Sequence, residues 1–242
     1  MENFKRYILF LFFIGTLGFN TWAQLTLNSF VDLYEHHASN GLYLRGAGQI
    51  NYSFQPFNIR AGVQCNFFNP EKRDISAFKA EFSTNFVLKR RVLDVSTFYQ
   101  LSPFSELLRE SNWGFLAEQK GNRFVLKLGT SFRNFAYTPK AIELYSIEKH
   151  SRIYENWNLL YAFSYYWKPI KNDWNLGLTL TNFDHFQINQ ETNPVFNLKG
   201  NYKINEQLSV FSEIWYITAG AFNLNVNYFG YYLRTGIQWR LN

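Results

Sequence analysis

The sequence predicts an all-β protein, a single transmembrane antiparallel up-and-down β-barrel of about 12 strands. Apolar and polar residues alternate with period 2 over most of the chain, which is typical of strands rather than helices. Aromatic residues make up 20% of the 242 residues, far more than in an ordinary soluble domain. No segment beyond the N terminus has the roughly 18 uninterrupted apolar residues that a membrane-spanning helix requires.

The first 23 residues have the pattern of a cleaved signal peptide. Lys5 and Arg6 precede an apolar run over 7–19, and Thr21 and Ala23 are the small residues that a signal peptidase reads. The apolar run is too short to span a bilayer as a helix. We therefore expect residues 1–23 to be removed on export and residues 24–242 to form one outer-membrane barrel domain.

The composition argues against several functions. The formal net charge of +6 is spread along the chain without a basic stripe, so nucleic acid is not an expected partner. Cys65 is the single cysteine, which rules out an intramolecular disulfide. The sequence has no phosphate-binding glycine loop, dinucleotide fingerprint or cysteine cluster, so it predicts no cofactor.

Each strand is predicted from an apolar stripe on alternate residues. Leu42 to Phe54 is typical, because Leu44, Ile50 and Tyr52 share one face while Arg45, Gln49 and Asn51 share the other. The clear strands lie at about 42–54, 57–67, 78–88, 93–101, 124–132, 157–167, 174–180, 196–204, 208–216 and 231–241. Two less regular strands lie at about 26–36 and 113–119. The stripe over 208–216 is broken by Phe211 and Trp215, which fall on the polar face.

The connections between these strands alternate in length. The short ones are 55–56, 89–91, 120–122, 169–172 and 205–206, and the long ones are about 37–41, 69–75, 102–112, 138–152, 187–194 and 219–230. Membrane barrels of this class have short periplasmic turns and longer external loops. With twelve strands both termini fall on the short-turn side, as that architecture requires.

Tryptophan residues are predicted at both membrane interfaces. Trp167, Trp174 and Trp239 would lie near the periplasmic interface, and Trp113 and Trp157 near the outer one. Amphipathic rings are favoured at those depths. This placement favours apolar stripes that face lipid, whereas a soluble barrel would turn them inward.

The last strand, "YYLRTGIQWRL" (231–241), resembles the C-terminal targeting strand of outer-membrane barrel proteins, although Asn242 stands where an aromatic residue is usual. With the strand pattern, it makes the chain similar to Gram-negative outer-membrane β-barrels of the porin type. The resemblance implies location in the cell outer membrane. It also implies outer-membrane lipid as a partner and insertion by the barrel-assembly machinery.

The polar face of the strands supplies the candidate lumen-lining residues. They are Arg45, Arg60, Lys79, Glu81, Asp94, Lys127, Arg133, Lys199, Glu213 and Arg234. This face contains no apolar set that would form a dry core. It predicts either a narrow water-filled channel for small polar or anionic solutes, or a lumen closed by pairing of charges such as Lys79 or Glu81 with Asp94. A closed barrel would suit an accessory subunit of an envelope protein complex.

A second hypothesis comes from the stretch His37 to Gly41, which resembles the active-site stretch of outer-membrane phospholipase A. The resemblance implies a lipid hydrolase with His37 as base, Ser39 as nucleophile and Asn51 orienting the imidazole. Residues 42–54 alternate without a break, however. A continuous strand would separate Ser39 from Asn51 by about 40 Å. The sequence therefore favours a non-enzymatic barrel and leaves activity open.

A third hypothesis is a metal or ligand site at the outer rim. His36, His37, His150 and His185 would all lie near that rim, with Asp184 or Glu148 as further ligands. Their spacing along the chain is not typical of a metal site, and the sequence predicts no metal as the main interpretation.

Overall fold

The computed structural model describes residues 23–36, 39–67, 75–88, 91–103, 107–148, 151–155, 157–186, 188, 194–219 and 227–241. In these ranges the strands are β1 (Ala23–His36), β2 (Ser39–Phe54), β3 (Phe57–Asn66), β4 (Ile75–Leu88), β5 (Arg91–Pro103), β6 (Leu108–Lys120), β7 (Phe124–Tyr137), β8 (Arg152–Tyr154), β9 (Asn158–Tyr166), β10 (Trp174–Thr181), β11 (Val195–Lys203), β12 (Leu208–Ala219) and β13 (Asn227–Leu241). A short helix, α1 (Pro139–Tyr145), lies between β7 and β8. The predicted signal peptide up to residue 22 lies outside the described residues and stays a prediction.

The strands form one closed antiparallel barrel. The strands β1 to β7 and β9 to β13 pair with their neighbours in the sequence, β7 pairs with β9, and β1 pairs with β13 to close the sheet. The three-residue β8 pairs with the end of β7 beyond the part that pairs with β9. Because β8 and β9 share one edge of β7, twelve strand positions surround the lumen, which confirms the predicted architecture.

The two faces of each strand differ as predicted for a membrane barrel. In β13, Leu233, Ile237 and Trp239 are exposed while Tyr232 and Arg234 are buried. The residues that are completely buried include large polar ones, whereas most exposed large side chains are apolar. This inverted distribution places the apolar surface outside, as is typical of barrels whose outer surface faces lipid.

The two ends of the barrel differ in their connections. The short-turn end is the end at which the turns 55–56, 121–123, 167–173 and 204–207 lie, and the opposite end is the long-loop end. Trp167, Trp174 and Trp239 are exposed at the short-turn end. Trp113 and Trp157 are exposed towards the long-loop end, so these rings lie at the predicted ends of the barrel. Their place at the membrane interfaces stays a prediction.

The region between β7 and β9 differs from the loop predicted over 138–152. Thr138 caps α1, because its Oγ1 accepts a hydrogen bond from the Ala141 amide at 3.3 Å, and Pro139 opens the first turn. The helix ends at Tyr145, and Ser146 caps it with a left-handed backbone at a φ of 51°. A seven-residue helix carries too little periodicity to be predicted from pattern. In the described ranges, no helix is long and apolar enough to cross a membrane.

Candidate functional site in the barrel lumen

The segment after β10 turns into the barrel instead of extending away from it. We call residues 182–188 the inward loop; Gln187 lies outside the described residues. Asn182 fixes its start, because its side chain donates to the Leu159 carbonyl at 2.7 Å and accepts from the Tyr161 amide at 2.9 Å. The hydroxyl of Thr181 donates to the Phe183 carbonyl at 2.9 Å. These contacts bend the chain away from the strand direction and towards the lumen.

The inward loop spans the lumen with apolar side chains. Phe186 packs against a buried cluster on three strands of the wall, namely Phe30 on β1, Ala47 on β2 and Ala77 on β4. Phe183 and Ile188 pack against a second cluster, formed by Phe98 on β5, Leu116 on β6 and Leu160 on β9. The loop therefore contacts opposite sides of the barrel and crosses its interior.

Polar contacts hold the same loop in register with the wall. The Gln100 side-chain amide donates to the Phe186 carbonyl at 2.6 Å. The Asp184 carboxylate accepts from the Tyr232 hydroxyl at 2.7 Å and from the Phe186 amide at 2.6 Å. A backbone that leaves the sheet must find other hydrogen-bond partners, and side chains of β5 and β13 supply them here.

Arg234 is the centre of a buried ion cluster that reaches the loop. Its guanidinium bonds to both oxygens of Asp32, at 2.7 and 3.1 Å, and to Asp184 at 2.9 Å. It also lies 3.8 Å from Glu213 and 4.2 Å from the centre of the Phe30 ring. Arg234 thus links β1, β12 and β13 to the inward loop.

Two further cations complete this Arg234 cluster, defined as Arg45, Lys199, Arg234, Asp32, Asp184 and Glu213. Arg45 lies 3.6 Å from Asp32, and Lys199 lies 2.6 Å from Glu213. Three positive charges therefore face three carboxylates. Charges can be buried when each is paired with an opposite charge in this way.

The Asp184 carboxylate is ionised in this environment. Burial acts to raise its pKa, but the Arg234 charge, the nearby His185 and the hydrogen bond from Tyr232 together hold the pKa below the ordinary value. A charge-assisted contact of this kind is stronger than one between neutral groups. The contact between Asp184 and Arg234 is therefore the strongest single anchor of the loop to β13.

The predicted lumen residues outside the Arg234 cluster form separate local groups. Arg133 binds Glu110 at 3.0 Å and Glu155 at 3.1 Å near the long-loop end. Arg60 lies 3.5 Å from Glu81 on the neighbouring strand. At the short-turn end, Lys127 binds Glu118, and Lys120 joins Glu118 and Asp94 at 2.7 and 2.9 Å.

Two expectations about this face are wrong. The predicted pairing of Lys79 or Glu81 with Asp94 does not form: Lys79 lies over the Phe98 ring at 4.6 Å, Glu81 is near Arg60, and Asp94 binds Lys120. The expected absence of a dry core is also wrong. Inward apolar residues of the wall form buried clusters because the inward loop supplies partners that are distant in sequence.

Trp215 and Tyr232 were not predicted as site residues. Their rings stack with centres 5.4 Å apart, and the Trp215 indole donates to Glu213 at 2.7 Å. The interruption of alternation at Phe211 and Trp215 was the available signal. Aromatic residues on a polar face indicate that something packs against them. Phe211 packs against the cluster that contains Phe186, and Phe186 follows the predicted strand 174–180 just before the predicted loop 187–194.

The residues of the hydrolase hypothesis are not brought together. Ser39 and Asn51 both belong to β2, where Ser39 pairs with His36 at one end and Asn51 pairs with Thr26 near the other. The Asn51 side chain donates to the Ser53 hydroxyl at 3.4 Å. His37 lies outside the described residues. The continuous strand separates the proposed nucleophile from the orienting amide by about 40 Å.

The rim site is also not assembled as expected. His185 belongs to the inward loop, with its ring 5.9 Å from that of Phe30, and so does not lie at the rim. Asp184 is engaged by Arg234 and Tyr232. His37 and His150 lie outside the described residues, and the part of the chain that is described contains no group of three metal-ligating side chains.

No protein-family model matches the sequence, and no curated protein is significantly similar to it. Solved structures are similar in fold. A KdgM porin in complex with disordered oligogalacturonate has a TM-score of 0.52 at 12% identity, covering 90% of this chain and 99% of that one.

Two other structures give the same result. A NanC porin has a TM-score of 0.52 at 10% identity, covering 89% of this chain and 100% of its own. Omp33 of Acinetobacter baumannii has a TM-score of 0.51 at 9% identity, covering 90% of this chain and 98% of its own. At such identities the similarity concerns the fold, and the chain has the fold of porin-type outer-membrane β-barrel proteins.

Proposed function

We propose that this protein is an integral outer-membrane barrel that acts as a narrow channel for small anionic or polar solutes, with the inward loop as its constriction. The observation that carries the proposal is the course of residues 182–188 across the lumen. A segment that blocks a barrel through non-covalent contacts can control passage if those contacts break or shift.

The anchors of the loop are few compared with the strand ladder around it. Asp184 binds Arg234 and Tyr232, and Gln100 holds the Phe186 carbonyl. Apolar packing of Phe183 and Phe186 supplies the rest. Because the barrel wall has its own closed hydrogen-bond ladder, the loop can leave the lumen without unfolding the barrel.

The charge presented to water in the lumen supports an anionic solute. In three ion pairs of the wall the basic side chain is more exposed than its acidic partner. Arg60 is 38% exposed and Glu81 15%, and Lys127 is 34% exposed and Glu118 15%. Lys199 is likewise more exposed than Glu213. A passage with accessible cations and shielded carboxylates favours anions. One porin of similar fold is described in complex with oligogalacturonate.

Single-channel conductance in a planar bilayer tests this proposal. The wild type is expected to give small steps. A variant with residues 183–188 replaced by the same number of glycine and serine residues should give larger steps, because the apolar side chains and Asp184 are gone. An Asp173→Asn variant, changed in an exposed turn, should match the wild type. Equal conductance of the loop variant and the wild type would contradict a constriction.

The preference for anions is tested in the loop variant. Within the loop variant, the double substitution Arg60→Gln and Lys127→Gln should make the channel less selective for anions, which shifts the reversal potential measured in a salt gradient. If the reversal potential stays unchanged, the exposed cations do not select the solute.

A second candidate is a closed barrel that serves as an accessory subunit of an envelope complex. Complete burial of Arg234 and Leu160 favours it, because the centre of the lumen is packed. Silence of both the wild type and the loop variant in bilayers, together with copurification of other envelope proteins, would support this candidate over the channel.

A further inference from the structure

Two arginines lie in one cross-strand row on the outside of the barrel at the long-loop end. Arg109 of β6 pairs with Ala136 of β7, and Ala136 pairs with Arg152 of β8. Arg109 is four residues before Trp113, which is exposed on the lipid-facing surface. Because alternate residues of a strand share a face, and paired residues point to the same side, all three residues face outward.

Both guanidinium groups are available for a ligand. Arg109 and Arg152 are exposed, and no described carboxylate lies within ion-pair distance of either one. Two strand spacings separate their Cα atoms by about 10 Å. The methyl group of Ala136 between them leaves a shallow floor. Two arginine side chains can therefore reach one group from both sides, and the planar guanidinium matches phosphate oxygens.

The surface below this row changes from polar to apolar in the direction of the membrane centre. The next row of outward-facing residues towards the membrane centre contains Ser111, Asn134 and Tyr154. There the Ser111 hydroxyl donates to the Asn134 side chain at 2.7 Å, and Tyr154 is 74% exposed. Beyond it, Trp113 and Phe132 are paired and exposed. At about 3.4 Å per residue and a strand tilt of about 40°, the arginine row lies roughly 10 Å above Trp113 along the membrane normal.

We propose that Arg109 and Arg152 form a binding site for the phosphate of a lipid headgroup in the leaflet at the long-loop end. Tryptophan marks the interface between hydrocarbon and headgroups. A row about 10 Å further out therefore lies at headgroup depth. The site continues the lipid-facing surface without interruption, so a membrane lipid whose chains lie on Trp113 and Phe132 can place its phosphate between the arginines.

Native mass spectrometry of the full barrel in detergent tests this site. The wild type should retain a lipid that carries a phosphate headgroup and lose the same lipid without phosphate. The double variant Arg109→Gln and Arg152→Gln should bind the phosphorylated lipid at least roughly tenfold more weakly than the wild type, because two charge-assisted contacts are removed. The control is Arg123→Gln with Lys171→Gln, which removes the same charge from exposed turns at the short-turn end and should bind as the wild type does.

The outcomes separate the sources of the anion. Equal binding by the wild type and the Arg109/Arg152 variant would overturn the proposal, as would equal retention of the lipid without phosphate. Displacement of the lipid by millimolar inorganic phosphate would assign the site to free anions and overturn the lipid as occupant. Heat-modified migration on gels verifies that each variant is folded. Bilayer conductance is a separate readout, because the site lies outside the lumen and is independent of the channel.

Discussion

The two halves of the lumen are built from the same alternating strands but differ in how their polar residues are packed. In the long-loop half, Arg234 and Asp32 are completely buried around the inward loop. In the short-turn half, Lys120 is 58% exposed and Arg60 38%. The inward-facing charges that the inward loop contacts are therefore buried, whereas Lys120 and Arg60 remain partly exposed. The strand pattern alone does not decide between a wet and a dry lumen.

The difference should be largest for buried charge. Arg234→Met leaves Asp32 and Asp184 without their main partner, which should lower the free energy of unfolding by about 3–5 kcal/mol. Lys127→Met, in the half without a loop, should lower it by less than about 1 kcal/mol, because its pair is partly exposed. Urea unfolding in lipid vesicles measures both. Equal losses would show that the two halves do not differ in burial.

The apolar part of the loop should have the next largest effect. Phe186→Ala removes a buried ring from the cluster with Phe30 and Ala77, at a cost of about 3 kcal/mol to the docked loop. It should also increase single-channel conductance. Leu144→Ala, on the exposed side of α1, is the control and should change stability by less than about 0.5 kcal/mol. A Phe186 variant indistinguishable from the control would contradict packing of the loop in the lumen.

A smaller effect is expected for a single hydrogen bond to the loop. Tyr232→Phe removes the donor to Asp184 and should lower stability by about 1–2 kcal/mol. The openings of the channel should become more frequent, with unchanged step size. Tyr202→Phe, at an exposed position of β11, makes the same change outside the cluster and should have no effect on either quantity. More frequent openings in both variants would exclude a specific role for the bond.

The smallest effect concerns pH. The folded pKa of Asp184 lies below its ordinary value. Its carboxylate therefore stabilises the fold fully at pH values above the ordinary pKa, and this contribution is lost as the pH falls from there through the lower, folded pKa. The stability difference between wild type and Asp184→Asn should therefore stay constant from pH 7 to about 4, the ordinary pKa of aspartate. A difference that disappears near pH 5 would contradict a docked, ionised Asp184.

Sequence reasoning succeeded where the information is local. The strands β3 and β10 and their pairing with neighbours follow from alternation, because the polarity of each residue predicts which face of its strand it occupies. The inward loop could not be predicted in the same way, because contacts such as Phe186 with Phe30 join residues 156 positions apart. The sequence predicts Asp184 only as a metal ligand, whereas in the closed barrel its partner is Arg234.

The most direct test of the loop in the lumen is hydrogen exchange of the wild-type protein in lipid vesicles. The peptide containing residues 182–188 should exchange as slowly as the strands, because Phe186 is buried and its amide donates to Asp184. The peptide containing the exposed turn 169–173 should exchange much faster. If residues 182–188 exchanged as fast as that turn, the loop would not be docked, and the account of a constricted lumen would be contradicted.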